Sequence, residues 1–226
     1  LGAGPGDSPQ PQPATALPAA LALAASWDPV LAQEFGNIAG QEVADRGEDV
    51  IEGPGVNIAR VPQNGRNFEY FGEDPFLSGV MAVAEVRAIQ RQGVIAEVKH
   101  FAANNQETNR KTINEIIDER TLREIYLPAF EAAIQQGGAG AVMAAYPSVN
   151  GRFCSENTRL LKDILRGDWG FKGFVQSDYT GTTNGVLAAR AGLDLAMKPN
   201  HYSGEIKLAI ADGQVPESAV DKMVEY

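Results

Sequence analysis

The stretch FLSGVMAVAEVRAIQRQGVIAEVKHF, residues 76–101, decides the fold. Its first part, Phe76 to Gln92, carries apolar residues at helical spacing, and Gly93 to Phe101 is an apolar run typical of a buried strand. A helix followed at once by such a strand is the repeating unit of α/β proteins with a parallel sheet. The strand ends on Lys99 and His100, and the carboxyl ends of parallel strands are where such proteins carry their sites.

The same alternation continues on both sides of this stretch. Helices are predicted over 27–46, 76–92, 119–136, 157–166, 184–191, 203–212 and 216–225, and strands over 49–58, 93–101, 141–146, 173–177 and 193–197. Ser26 is the predicted N-cap of the first helix, with Pro29 in its first turn. We therefore expect about five parallel strands with helices outside them.

Two architectures agree with this pattern, a (β/α) barrel and an open doubly wound sheet, and the pattern alone leaves both open. A complete eight-unit barrel usually needs ~250 residues. With 226 residues and about five strands, the chain is expected to form an incomplete TIM-barrel-like α/β domain. Residues 1–16, rich in Gly, Pro and Gln, are predicted to be a loop or arm, and 17–226 the partial barrel.

Composition excludes several classes of protein. The chain is 44% hydrophobic and 21% charged, as in ordinary globular proteins, and its formal charge of −10 argues against nucleic-acid binding. No run approaches the roughly 20 apolar residues of a membrane span. Cys154 is the single cysteine, and only two histidines occur, so neither a disulfide framework nor a metal site is expected. No cofactor is predicted, and a neutral substrate such as a sugar fits the charge.

Three polar clusters are candidates for chemistry. The first runs from Lys99-His100 to Asn104-Asn105-Gln106-Glu107, the second is Ser177-Asp178-Tyr179, and the third is the loop 64–75, which contains Arg66. Lys and His donate hydrogen bonds of the kind sugar hydroxyls accept, Asp can act as a nucleophile, and Arg presents a fixed fork to oxygens. The alternatives are a solvated strand end, a helix N-cap or ion pair, and a surface loop with an Arg–Glu pair.

Together these clusters resemble glycoside hydrolase family 3, of the β-glucosidase and β-xylosidase type. The segments that carry the likeness are GPGVNIARVPQNGRNFEYFGEDP, VKHFAANNQE, IDERTLREIYLPAFEAAI, VMAAYPSVNG and WGFKGFVQSDY, in the family's order, from about Ala14 to the C-terminus. Because several independent motifs agree, the resemblance is specific. It implies a barrel-like catalytic domain and a retaining mechanism that acts on a β-glucoside or a short β-glucan oligosaccharide.

The resemblance also implies roles for individual residues. Asp178 matches the nucleophile, and Arg66, Lys99 and His100 match residues that hold the sugar, with His100 expected to be a neutral donor. The further substrate-binding candidates are Tyr146, an aromatic residue near the nucleophile, Tyr179, which stands where the family has Trp, and Glu107, which is expected to support its loop.

The sequence also departs from the family pattern. The acid/base Glu is expected from a C-terminal domain of the same protein or from a second chain, and a sugar-binding Asp from a loop upstream of Leu1. The segment 196–199 lacks the family's acidic residue, and Glu52 and Glu97 stand at strand positions that favour apolar side chains. They are expected to pair with a basic group or face a cavity.

Several alternatives stay open. The chain is a β-glucosidase, a β-xylosidase, or an inactive or sugar-binding fragment, while a phosphate-binding barrel is disfavoured because no Gly-rich phosphate loop precedes a helix. The sequence does not decide between a monomer and a homo-oligomer, and it does not fix the compartment.

Overall fold

The fold is that of a computed structural model that describes residues 13–197, 202 and 204–226. Most of the predicted N-terminal arm, the segment 198–201 with His201, and Ser203 lie outside the described residues. The division into an arm and a barrel domain therefore stays a prediction.

The centre of the molecule is a parallel sheet. Its strands are β1 (Val50–Ile51), β2 (Gly55–Ile58), β3 (Tyr70–Gly72), β4 (Ile95–Phe101), β6 (Ala141–Ala144) and β9 (Phe174–Ser177). The order across the sheet is β3-β2-β4-β6-β9, with β1 beside the start of β4. All of these pairs are parallel.

The strand order decides between the two architectures. Strands β2, β4, β6 and β9 lie side by side in chain order, the three-residue β3 lies on the other side of β2, and a further bridge joins Gln176 to Leu195. A doubly wound sheet reverses its order at a switch point, whereas a barrel keeps stepping in one direction. The described strands therefore form an arc of a (β/α) barrel, and the prediction of an incomplete TIM-barrel-like domain is confirmed.

Helices cover the arc on its outside. They are α1 (Ala20–Ala24), α2 (Pro29–Asp45), α3 (Pro75–Arg91), α4 (Glu119–Thr121), α5 (Pro128–Gln135), α6 (Gly185–Ala191), α7 (Glu205–Ala211) and α8 (Glu217–Glu225). Two segments, Leu122–Tyr126 and Arg159–Asp168, have π-helical hydrogen bonding. Helix α2 packs closely on α3 because Gly36 and Gly40 have no side chain at the contact.

Some predicted boundaries were wrong. Asp28, not Ser26, caps α2, since its carboxylate accepts the Val30 N–H at 2.8 Å and Pro29 takes the first helical position. The predicted helix 119–136 is divided, because Pro128 cannot donate an N–H and starts a new helix. In the predicted strand 193–197, the described pairing is a bridge at Leu195.

A small second sheet was not predicted. Strands β5 (Asn114–Glu115), β7 (Ser148–Val149) and β8 (Arg152–Phe153) are each two residues long, too short to leave a sequence pattern. Their order is β5-β7-β8. This sheet joins the loop after β4 to the loop after β6, both of which carry candidate site residues.

The core lies between the sheet and the helices. Its largest fully buried side chains include Phe101, Phe130, Leu161 and Ile164. Cys154 is also buried, and burial raises the pKa of its thiol to about 12. Among the described residues, no helix is both long and apolar enough to cross a membrane.

Candidate active site

The predicted site residues meet at the carboxyl ends of the strands. Lys99 and His100 come from the end of β4, Tyr146 follows β6, Asp178 follows β9, and Arg66 lies in the loop between β2 and β3. Consecutive strand residues normally face opposite sides of a sheet. At the end of β4 the register on β6 shifts between Lys99 and Phe101. Both neighbouring side chains face the site there, since Lys99 contacts Glu69 and His100 contacts Asp178.

Asp178 has one engaged and one open carboxylate oxygen. The residue is 9% exposed, and Oδ1 accepts the backbone N–H of Tyr179 at 2.7 Å. Oδ2 is buried, has no hydrogen-bond partner within the described part of the chain, and lies 3.8 Å from His100 Nε2. Burial raises the pKa of Asp178, while the Tyr179 N–H, the Tyr146 hydroxyl and the guanidinium groups of Arg66 and Arg110 oppose that rise.

His100 is a neutral imidazole. Burial lowers its pKa well below the usual value, and the positive charges of Arg66 and Lys99 lower it further. Arg66 Nη2 lies 2.9 Å from Nε2, and a guanidinium can only donate, so Nε2 is the acceptor. The ring proton is therefore assigned to Nδ1, which lies 3.3 Å from Asn57 Oδ1. The donor nitrogen thus points at Asn57, and a hydrogen bond from His100 to a sugar hydroxyl stays a prediction.

Arg66 and Lys99 share one counter-ion, Glu69. Arg66 donates to this carboxylate from Nε at 2.7 Å and from Nη2 at 2.8 Å, and Lys99 Nζ lies 3.0 Å from Oε1. Burial alone would raise the pKa of Glu69, but the two cations hold it below its ordinary value. Two nitrogens of the guanidinium thus face Glu69, and a contact between Arg66 and a sugar stays a prediction. Sequence reasoning noted an Arg–Glu pair only as a surface alternative and did not assign Glu69 to the site.

The loop after β4 is held together by Glu107. Its Oε2 accepts from Arg110 Nη1 at 2.7 Å, its Oε1 accepts from Asn104 Nδ2 at 3.3 Å, and Arg66 Nη1 lies 4.0 Å away. These contacts tie the loop to the Arg66 cluster. A contact between Glu107 and a sugar stays a prediction.

Two cations of that loop stack on Tyr146. The guanidinium carbon of Arg110 lies 4.4 Å from the ring centroid, and Lys111 Nζ lies 5.0 Å from it. The Tyr146 hydroxyl donates to the Tyr179 carbonyl at 2.6 Å, and burial together with the charge of Asp178 raises its pKa. Arg110 was missed by sequence reasoning, and a cation three residues after Glu107 was the signal that would have found it.

The backbone that follows Asp178 is anchored at its far end by Glu156. One oxygen of this buried carboxylate, Oε1, accepts from Thr183 N at 3.0 Å, Thr183 Oγ1 at 2.6 Å and Asn184 N at 2.7 Å. Glu156 belongs to a 3₁₀ turn, Cys154–Glu156, that precedes the π-helical segment. The loop 178–184 is therefore fixed at both ends, and the Tyr179 side chain within it is 49% exposed.

Glu97 lies beneath the site, two residues before Lys99. It is 0% exposed, and burial, followed by the charge of Glu52, raises its pKa to about 8. Gln176 Nε2 donates to its Oε2 at 3.3 Å, while Oε1 has no partner among the residues that the structure describes. Glu97 was expected to pair with a basic group or face a cavity, and its hydrogen-bond partner among the described residues is the neutral amide of Gln176. The companion residue Glu52 is exposed to solvent.

Across the described ranges, no group of three or more His, Cys, Asp or Glu side chains is placed to hold a metal ion.

Comparisons with known proteins agree on one family. Residues 6–226 match the model of the glycosyl hydrolase family 3 N terminal domain. The chain is 45% identical to the thermostable beta-glucosidase B of Acetivibrio thermocellus over 93% of its own length and 28% of that protein. It is 40% identical to an exo-alpha-(1->6)-L-arabinopyranosidase of Bifidobacterium breve, over 99% of its length and 30% of that protein.

A solved structure shows the same fold. The beta-glucosidase 3B of Thermotoga neapolitana, in complex with glucose, superposes with a TM-score of 0.90 and 45% identity. The match covers 93% of this chain and 31% of that one. The chain therefore spans under a third of the length of these relatives.

Proposed function

Because the chain belongs to glycosyl hydrolase family 3, we propose that the protein is a retaining β-glycosidase with Asp178 as its nucleophile. The observation that carries this proposal is the open oxygen of Asp178. Oδ1 is held by the Tyr179 N–H, and Oδ2 is buried with no hydrogen-bond partner among the described residues. A carboxylate oriented in this way keeps a lone pair available for attack.

The charges around Asp178 suit this role. A nucleophile must be ionised, and burial opposes ionisation. Arg66 and Arg110 counter the effect of burial on the pKa of Asp178, and neutral His100 adds no charge of its own. Arg66 pairs with Glu69 and Arg110 pairs with Glu107, and these ion pairs hold both guanidinium groups in place.

The proposed reaction has two steps. Oδ2 of Asp178 attacks the anomeric carbon and forms the glycosyl-enzyme bond, while the bond to the leaving oxygen breaks and an acid gives that oxygen a proton. Water then attacks the same carbon, the former acid takes its proton, and Asp178 is released. In retaining enzymes the two carboxyl groups lie ~5–5.5 Å apart. We propose that a Glu of a C-terminal domain, or of a second chain, supplies the second group.

The proposed substrate is a terminal β-D-glucosyl residue of a β-glucoside or short β-glucan oligosaccharide. Two of the relatives are named beta-glucosidases, which favours glucose, and the arabinopyranosidase shows that the family scaffold also serves another sugar. We propose that the sugar is contacted by Arg66, Lys99, His100 and Tyr146. The Tyr179 ring is proposed to line the part of the site that receives the leaving group. A β-xyloside is the alternative substrate.

The test is covalent trapping of the full-length protein with an activated 2-fluoro-β-glucoside, followed by intact mass and peptide mapping. The activated leaving group needs little help from the acid, so the experiment addresses the nucleophile alone. We expect one adduct, on the peptide that contains Asp178. The Asp178→Ala variant should keep its affinity for glucose, lose turnover and take up no label.

Three other outcomes are informative. An adduct on a different carboxylate contradicts the assignment of Asp178 but keeps the retaining mechanism. No adduct on the wild-type protein, with turnover of ordinary glucosides, contradicts the retaining mechanism. Labelling of the full-length protein but not of residues 1–226 alone shows that the site needs parts outside this chain.

A further inference from the structure

Lys111 lies at the exposed edge of the site. Its Nζ donates to Thr180 Oγ1 at 2.9 Å and lies 5.0 Å from the centroid of the Tyr146 ring. Thr180 is two residues after the nucleophile, and both Lys111 and Thr180 are exposed. The lysine thus bridges the loop after β4 to the loop that carries Asp178.

Lys111 differs from the neighbouring cations in having no carboxylate partner among the described residues. Arg66 and Lys99 pair with Glu69, and Arg110 pairs with Glu107 at 2.7 Å. Within the described residues, no carboxylate lies within 4.0 Å of the Lys111 ammonium. An ammonium that bonds two residues after Asp178 and has no carboxylate partner among the described residues is notable in a chain whose formal net charge is −10.

The position of this cation indicates which part of a substrate it meets. On the buried side of Asp178, where the sugar is proposed to bind, His100 Nε2 lies 3.8 Å from Asp178 Oδ2 and 2.9 Å from Arg66 Nη2. Tyr179, 49% exposed, and Lys111 lie on the solvent side, from which a leaving group departs. Lys111 is therefore placed to contact the leaving group and not the sugar.

We propose that Lys111 is a specificity-determining residue that favours β-glycosides whose leaving group carries a carboxylate. The proposal rests on the proposed function, since it needs a leaving group beside Asp178. An ammonium hydrogen-bonded to Thr180 is held in one place, and a carboxylate entering beside it gains an ion pair without a competing counter-ion. Such a pair is partly solvated, so its contribution is modest and falls with salt.

The test compares two matched substrates on the full-length protein, 4-carboxyphenyl and 4-carbamoylphenyl β-D-glucoside. The two leaving groups have nearly the same shape and differ in charge. The quantity measured is the ratio of kcat/KM for the carboxylate to that for the amide, because a ratio compared between variants cancels their intrinsic reactivities. We expect the ratio to fall roughly two- to five-fold in Lys111→Met, as for the loss of one exposed, partly screened ion pair.

Further variants make the result specific. Lys111→Arg should keep the wild-type ratio, and Lys111→Gln should lower it as Lys111→Met does. Lys207→Met, an exposed lysine on α7, is the control and should leave the ratio unchanged. In the wild type, adding salt should lower the ratio, and in Lys111→Met it should have little effect.

The outcomes separate this proposal from the proposed function. A ratio that is the same in wild type, Lys111→Met and Lys111→Gln, with both glucosides hydrolysed, overturns the role of Lys111 and leaves the glycosidase intact. A wild-type protein that hydrolyses neither glucoside and takes up no 2-fluoroglucosyl label contradicts the glycosidase itself, and the role of Lys111 falls with it.

Discussion

Replacing Glu97 by Gln should make the protein's stability less sensitive to pH. The folded state raises the pKa of this carboxyl from an ordinary 4.5 to about 8, chiefly through burial. Between these two values the folded state binds the proton more tightly than the unfolded state does. Wild-type stability therefore falls as pH rises from about 4.5 through about 8. A glutamine has nearly the same shape and no proton to lose.

The size of the effect follows from the two pKa values. Each pKa unit corresponds to about 1.4 kcal/mol, so a difference of roughly 3.5 units sets an upper bound of roughly 5 kcal/mol above pH 8. Between pH 5 and pH 7 the linkage relation gives a loss of roughly 2–3 kcal/mol. The free energy of unfolding of the wild type should fall by this amount more than that of Glu97→Gln. Because the side chain is 0% exposed, solvent screening does not reduce the effect.

The assay is urea unfolding of the full-length protein at pH 5, 6 and 7, followed by hydrogen–deuterium exchange of the β4 peptide, which isolates this domain. Glu85→Gln is the matched control, since Glu85 is also buried, on α3, with its pKa raised by burial to about 8. The stability of Glu85→Gln should likewise fall less than that of the wild type as the pH rises from 5 to 7. An equal pH dependence in wild type and Glu97→Gln, or a relative loss of stability in the variant at pH 7, would refute the argument. The first result would mean that folding does not shift the pKa of Glu97, and the second that Glu97 is ionised and paired with a cation.

Three further changes test the site and the packing. Tyr146→Phe removes a hydrogen bond to a backbone carbonyl of the nucleophile loop, so kcat should fall roughly ten-fold with KM less affected, in steady-state kinetics. Glu69→Gln leaves Lys99 without its counter-ion and should lower the free energy of unfolding by about 3 kcal/mol, measured by urea titration; an unchanged midpoint would contradict the pairing. In Gly173→Ala the new Cβ would overlap a backbone oxygen, and a loss of about 3 kcal/mol or more is expected, whereas Gly65→Ala should stay within about 0.5 kcal/mol.

The sequence predicted the helices and strands more accurately than it predicted whether the sheet curves into a barrel. Short apolar runs located β4, β6 and β9, which are buried on both faces, and a period of 3.6 located the helices between them, which bury one face. Whether the sheet curves into a barrel depends on which strands pair, and pairing between distant segments leaves no local pattern. The strands of the second sheet were missed for a related reason, since two residues are too few to show alternation.

For the site, the sequence pointed to the residues but not to their partners. Asp178, Lys99 and His100 stand directly at strand ends, and their positions follow from the α/β pattern. Glu69 and Arg110 lie in loops, and their place in the site depends on how those loops fold back on the strand ends. Ion-pair partners drawn from loops are set by tertiary contacts, which no single-sequence period encodes.

The anchor at Glu156 has a consequence for protein engineering. When a loop is held in shape by its own side chains, replacing those side chains destroys its conformation. Here a single carboxylate outside the loop binds the backbone and side chain of Thr183 and the backbone of Asn184, and the first residue is fixed by β9. The side chains of Tyr179 and Thr180 can then be randomised in a library while the nucleophile keeps its position. Leaving-group preference should therefore evolve at these two positions with little loss of folding.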